Sequence, residues 1–143
     1  MGKKIKIVLD TNVWLSIFMN KALSKGFSKI LGREDIQIYI SKQILEEISR
    51  VLVYPKIIRL FEKVGMSPKE ILEKIVEKTI LIKPKLKLNI IKEDPADNRI
   101  LECALQAKAD FLISGNKHLI KLKKFKNIKI LKPREFLELL KSN

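Results

Sequence analysis

Short runs of β-branched and other apolar residues recur at 4–9, 37–40, 79–82, 111–114 and 128–131, each separated from the next by a longer helical pattern. Strands spaced in this way cannot be joined by tight hairpins, so they must return through crossovers and pair in parallel. A parallel sheet is covered on both faces, which suits consecutive apolar residues such as Ile7-Val8-Leu9 in the first run. The intervening patterns carry helix punctuation. Residues 12–31 read as one or two helices stopped at Gly32, and Ser41 caps a helix that runs to about 52 and is ended by Pro55. A short helix is expected at 57–63, and Ser67-Pro68-Lys69-Glu70 is a capping box opening a helix to about 78. Residues 84–94 read as an irregular connection. Asp94-Pro95-Ala96-Asp97 opens a helix through about 108, and further helices are expected at 117–121 and 133–140. The expected fold is an α/β sandwich around a parallel sheet of about five strands. No repeat, low-complexity tract or linker interrupts it, so residues 1–143 are expected to form a single domain.

Composition narrows the function. Apolar residues are 46% and charged residues 32%, enough for a real core and unlike a disordered chain. The single cysteine excludes an intrachain disulfide framework and a multi-cysteine zinc site. The longest uncharged stretch, 11–20, is too short to span a bilayer, and Lys6 and Asp10 break the opening apolar run that a signal peptide needs. A cytoplasmic protein without a membrane partner is expected. Formal net charge is +14, and 25 of the 30 cations are lysine. Such an excess favours an acidic partner, nucleic acid or a membrane surface, although lysine-rich composition also accompanies heat adaptation.

Only five aspartates are present, so their placement is informative. Asp10 stands at the carboxyl end of the first strand, where open α/β sheets build ligand sites. Asp94 and Asp97 begin the helix leading into the fourth strand, and Asn116 lies just past that strand, after Ser114-Gly115. Parallel neighbours would gather these positions at one sheet edge. Each acid has a plainer use as a helix cap. In the helix after the second strand, Ile44, Leu45, Ile48, Val51 and Leu52 form the apolar face. At about 100° per residue, Glu46 points away from that face while Glu47 lies on its flank. Asp97 shares the inward side of its helix with Ile100 and Leu101, a costly place for an unpaired carboxylate. Grouped carboxylates repel and call for a cation, and oxygen-only donors favour Mg²⁺ or Mn²⁺ over zinc. Such an ion stabilises charge on a phosphoryl oxygen, and a basic surface attracts a phosphate-rich substrate.

Asp10-Thr11-Asn12 after an apolar strand, the Leu45-Glu46-Glu47 helix and Asp94-Pro95-Ala96-Asp97-Asn98-Arg99-Ile100 resemble the PIN-domain ribonucleases. So do the stretch from Ala109 to Leu119, which includes Ser114-Gly115-Asn116-Lys117-His118, and the closing Ile130-Leu131-Lys132-Pro133-Arg134-Glu135-Phe136-Leu137. The likeness covers nearly the whole chain in order and is similar to prokaryotic PIN proteins described as toxins of toxin–antitoxin pairs. It implies a three-layer α/β/α fold and an Mg²⁺- or Mn²⁺-dependent endoribonuclease, with RNA as substrate, an antitoxin as partner and a homodimer as assembly. It also implies that Asp10 and Asp97 hold the metal and that Glu47 helps directly or through water. Thr11 and Asn12 fall in supporting positions, with Ser114 near the mouth of strand four.

One departure stands out. Many members of the family carry an aspartate where this chain has Asn116, whose amide oxygen can ligate a hard cation but brings no charge. Asp94 is the acid best placed to compensate, whereas Asp110 begins strand four, roughly 10 Å from the other end at about 3.3 Å per residue. Lys117, Lys121, Lys123 and Lys124 open the densest basic stretch and are the expected RNA contacts; Lys83, Lys85, Lys87 and Lys92 read as a solvated face. His118 reads as surface or structural, Cys103 as an inert buried thiol, and Trp14 as packing. The rival functions are a catalytically weak PIN-like nucleic-acid-binding protein, suggested by Asn116, and a phosphoryl-accepting domain using Asp10. The last is disfavoured because Asp10-Thr11-Asn12 lacks the second aspartate of the common phosphatase motif.

Overall fold

The computed structural model describes residues 3–141. In its central strand, β1 (Ile5–Leu9), the consecutive residues Ile7, Val8 and Leu9 are all fully buried. Successive strand residues point to opposite faces, so this burial requires cover on both sides of the sheet. β2 (Ile36–Ser41) pairs with β1 in parallel, and β3 (Ile80–Ile82) lies outside it. On the other side β4 (Phe111–Ile113) pairs with β1 and β6 (Ile128–Leu131) with β4, again in parallel. The five expected strands are thus present. A sixth, β5 (Lys124–Phe125), runs antiparallel along β6 at the sheet edge. It has two residues inside the lysine-rich stretch, too short and polar to leave a periodic signal.

The strand order is β3-β2-β1-β4-β6-β5. The chain winds outward from β1 to β3, then crosses back to begin its second half at β4. β1 and β4 are therefore the strands between which the winding reverses, and the cleft outside their carboxyl ends is where ligands bind in such sheets.

The helices follow their caps. The expected 12–31 span is divided into α1 (Thr11–Met19) and α2 (Lys21–Leu31) at Asn20, whose side chain accepts the Ala22 and Leu23 N–H groups at 2.9 and 3.1 Å. The Ser41 hydroxyl caps α3 (Lys42–Leu52). Pro55 does more than end that helix, since it is the first residue of α4 (Pro55–Lys63), a position where its missing N–H is harmless. The capping box opens α5 (Pro68–Lys78) as expected. α6 (Pro95–Ala107), α7 (Lys117–Ile120) and α8 (Pro133–Lys141) complete the set. α6 packs on β1, β2 and β3, and α2 lies against α8. Gly26 allows that last approach, because a Cβ there would sit 2.8 Å from Leu137 Cδ1. Trp14 is fully buried in the core. Cys103 is buried too, and burial pushes its thiol up to about 12, so it is inert. Among the described residues no helix is long and apolar enough to cross a membrane.

The irregular connection is held by α6. Gln106 accepts the Lys85 N–H at 3.1 Å, Glu102 the Leu88 N–H at 2.7 Å, and Asn98 Oδ1 the Ile90 and Ile91 N–H groups at 2.9 Å. Asn98 Nδ2 and Arg99 Nη2 donate in return to the carbonyls of Ile91 and Leu88. Positions 98, 102 and 106 share one helix face, so this segment finds partners there for several of the backbone groups that no ladder satisfies.

Candidate active site

Asp10 follows the last residue of β1 and begins the turn into α1. Its Oδ1 accepts the Val13 N–H at 2.9 Å as the helix cap, and its Oδ2 accepts the Ser114 hydroxyl from the end of β4. The Asn116 N–H in turn donates to Ser114 Oγ at 2.9 Å. Asp97 stands in the first turn of α6, and both its oxygens face the Asn116 amide, with Nδ2 at 3.0 and 3.2 Å. Asp10, Ser114, Asn116 and Asp97 thus form one hydrogen-bonded chain across the β1/β4 edge, contributed by three segments distant in sequence.

Burial sets the electrostatics. Asp10 and Asp97 are only 3% and 4% exposed. Desolvation raises the Asp10 carboxyl above its ordinary range, against the hydrogen bonds from Ser114, Val13 and Asn12 that favour its ionised form. The Asp97 carboxyl is pushed up to about 6, first by desolvation and then by Asp94. Half-buried Glu47 is also raised, by desolvation first and then by Asp94 and Asp10. Asp97 and Glu47 therefore both feel Asp94 and Asp10 through space. Asp94 is exposed and caps α6 through the Ala96 N–H at 3.0 Å, adding charge at the rim. Asn12 is exposed, and the buried Thr11 hydroxyl faces Glu47 and draws its carboxyl down, although the pair falls outside strict hydrogen-bond geometry.

The donors suit a hard divalent cation, being carboxylate and hydroxyl oxygens. Among the described residues no three His, Cys, Asp or Glu side chains close on a single point. Mg²⁺ keeps several waters and is commonly held by one or two carboxylates with substrate phosphates, so Asp10 and Asp97 are the carboxylates that could hold one, with Glu47 within electrostatic reach of Asp10. Asn116 departs from its expected use. Its Oδ1 accepts the His118 N–H at 2.8 Å as the cap of α7, so the amide orients Asp97 through Nδ2 while its oxygen is already engaged.

His118, expected from the sequence to be surface or structural, stands beside Asp97. The first turn of α7 carries its Nδ1 to 3.4 Å from Asp97 Oδ2, within ion-pair range though outside hydrogen-bond geometry, and there it lowers the Asp97 pKa. The local signal was its two-residue spacing from Asn116. The basic candidates divide. Lys117 and Lys121 flank α7 beside this edge. Lys124 pairs with Lys129, which is level with Phe111 at the start of β4, so it lies toward the opposite edge, and Lys123 precedes it. Asp110, at that opposite edge, accepts the Lys6 N–H at 2.9 Å.

The chain is similar to known proteins. An uncharacterised protein of Methanocaldococcus jannaschii is 31% identical over 144 residues, covering 94% of this chain and 91% of that protein. In the crystal structure of VapBC2 from Rickettsia felis bound to a DNA fragment from their promoter, one chain superposes with a TM-score of 0.60 at 18% identity. The match covers 88% of this chain and 97% of that one, and it bears on the fold. The PIN-domain family model matches residues 6–118, and PIN domains are in general metal-dependent nucleases. With the three-layer fold and the acids at the β1/β4 edge, this match establishes that the chain belongs to the PIN-domain family.

Proposed function

We propose that this protein is an Mg²⁺- or Mn²⁺-dependent endoribonuclease and the toxin of a toxin–antitoxin pair, working as one domain in the cytoplasm. The observation that carries the reading is the pair Asp10 and Asp97, both buried and mutually repelling at the β1/β4 switch point of a chain with net charge +14. A structure tolerates such strain where a ligand relieves it. Asp10 and Asp97 would hold the divalent ion, with Glu47 directly or through water. When bound, the ion lowers the pKa of water and stabilises charge developing on a phosphoryl oxygen. The protein's own groups set the geometry. Ser114 fixes the Asp10 carboxylate, Asn116 fixes Asp97 and is tied to Ser114, and Thr11 and Asn12 support the turn after β1. Lys117 and Lys121 would attract the RNA backbone, so binding would weaken with salt. The VapBC2 neighbour supports an antitoxin partner, and the family likeness supports a homodimer.

The purified chain with Mn²⁺ should cut a mixed-sequence RNA internally, and Asp10→Asn or Asp97→Asn should slow the cut by roughly two to three orders of magnitude. A second reading is favoured by Asn116, an uncharged donor where a further carboxylate would add affinity for the ion. In that case RNA binds with steep salt dependence and survives intact with either metal.

A further inference from the structure

We infer that a cavity of 330 Å³ between α3 and the start of α6 seats one unpaired nucleobase of the RNA, next to the nucleotide at the carboxylates. The inference deepens the ribonuclease reading and rests on it. Glu47 is common to this cavity and to the group of acids around Asp10 and Asp97, and Ala96, beside Asp97, forms part of the wall. A strand lying across the carboxylates would therefore pass directly into it.

The lining identifies the ligand class. Arginine accounts for only five of the 30 cations, yet Arg50 and Arg99 both face this space. Arg99 is fixed by Glu102 at 2.8 Å and by the Leu88 carbonyl at 2.9 Å, so one guanidinium is already neutralised. Glu46 and Glu47 offset Arg50. This balance does not suit a phosphate. It suits an uncharged heterocycle with hydrogen-bonding edges, for which Arg50 and the Gln43 amide supply donors and an acceptor. Tyr54, 50% exposed, also lines the cavity, and Val51 is among its apolar walls. An aromatic face beside polar edge groups is how single-stranded RNA is gripped, because every base has a face to stack. The volume lies at the small end of ligand pockets, roughly 300–1,000 Å³.

The test uses the full chain in EDTA, a fluorescein-labelled short single-stranded RNA and the same RNA with abasic sites, read by anisotropy. Wild type should bind the abasic RNA about tenfold more weakly than the intact one. Tyr54→Ala should lose about tenfold on intact RNA and little more on abasic RNA, while Tyr54→Phe stays near wild type. Exposed Gln43→Ala and Arg50→Gln should each lose several-fold, and they carry the test if Tyr54→Ala does not fold. Unchanged affinity in these variants overturns the subsite. So does a Tyr54→Ala change from dimer to monomer with RNA affinity intact, which would make this face a contact between copies. Parallel Mn²⁺ assays separate the two claims. Base-dependent binding without cleavage sinks the nuclease and leaves the subsite, whereas cleavage with an unchanged KM in Tyr54→Ala sinks the subsite alone.

Discussion

Asp97 and Asn98 are neighbours in the first turns of α6, both almost wholly buried, and their environments are opposite. Asn98 spends its polar atoms on the 83–92 segment, accepting two backbone N–H groups and donating to a carbonyl. Asp97 has an amide and a nearby imidazole for company, and its carboxyl is pushed up to about 6. One side of the helix is optimised for the fold. The other holds charge that the fold does not need, which is how a site built for a ligand differs from a structural network.

Exchanging these roles should separate function from stability. Asp97→Asn should lower RNA hydrolysis on the order of 10²–10³-fold, the scale of losing one preorganised electrostatic group, with the apo melting midpoint at neutral pH unchanged or raised. Asn98→Ala should do the reverse. It strands the Ile90 and Ile91 N–H groups and the Ile91 carbonyl, so denaturant titration should show a loss of about 3 kcal/mol, at about 1 kcal/mol per group. Hydrolysis per folded molecule should stay near wild type.

The pH dependence sharpens the same contrast. The folded-state pKa of Asp97, about 6, exceeds its ordinary 3.8, so the folded chain binds that proton more tightly than the unfolded one. The stabilisation is complete below the unfolded value and is lost as pH rises through about 6. Without metal, the Asp97 contribution should therefore shrink between about pH 4 and 7. Stabilisation by Mn²⁺ should grow over the upper part of that range, because proton and ion compete for one carboxylate. Differential scanning calorimetry with and without Mn²⁺ reads both trends, and Asp97→Asn should flatten them.

Asn116→Asp should tighten Mn²⁺ binding roughly tenfold through added ligand charge, and lower the apo midpoint by setting a carboxylate against Asp97. Calorimetric titration decides the first and thermal melting the second. The smallest effect belongs to the opposite sheet edge. Asp110→Ala removes the acceptor for the Lys6 N–H and should cost about 1 kcal/mol in a denaturant titration, with hydrolysis untouched.

The strand pattern was legible because a strand buried on both faces carries consecutive apolar residues, as at Ile7, Val8 and Leu9. The inward direction of Asp97 was legible from its spacing to Ile100 and Leu101. What escaped was non-local. The backbone of 84–94 finds its partners up to 21 residues away on α6, which no local pattern announces. β5 exists only because β6 is beside it. Asn20 caps a helix from within an apolar run, so the periodicity masked the break. Asn116 was weighed for the charge it lacks, whereas its two ends are divided between Asp97 and α7. His118 had no partner in sequence and acquires one only when β4 and α6 meet.

On the proposed reading, Asp10 and Asp97 are held away from their ordinary protonation because together they bind a divalent ion. A crystal of the full chain soaked in millimolar Mn²⁺ at neutral pH and measured at the Mn absorption edge tests it directly. An anomalous peak is expected bonded to Asp10 and Asp97, with Glu47 at or one water from the ion. An edge-verified data set with no peak at these carboxylates, or with Mn²⁺ bound only elsewhere, would contradict it.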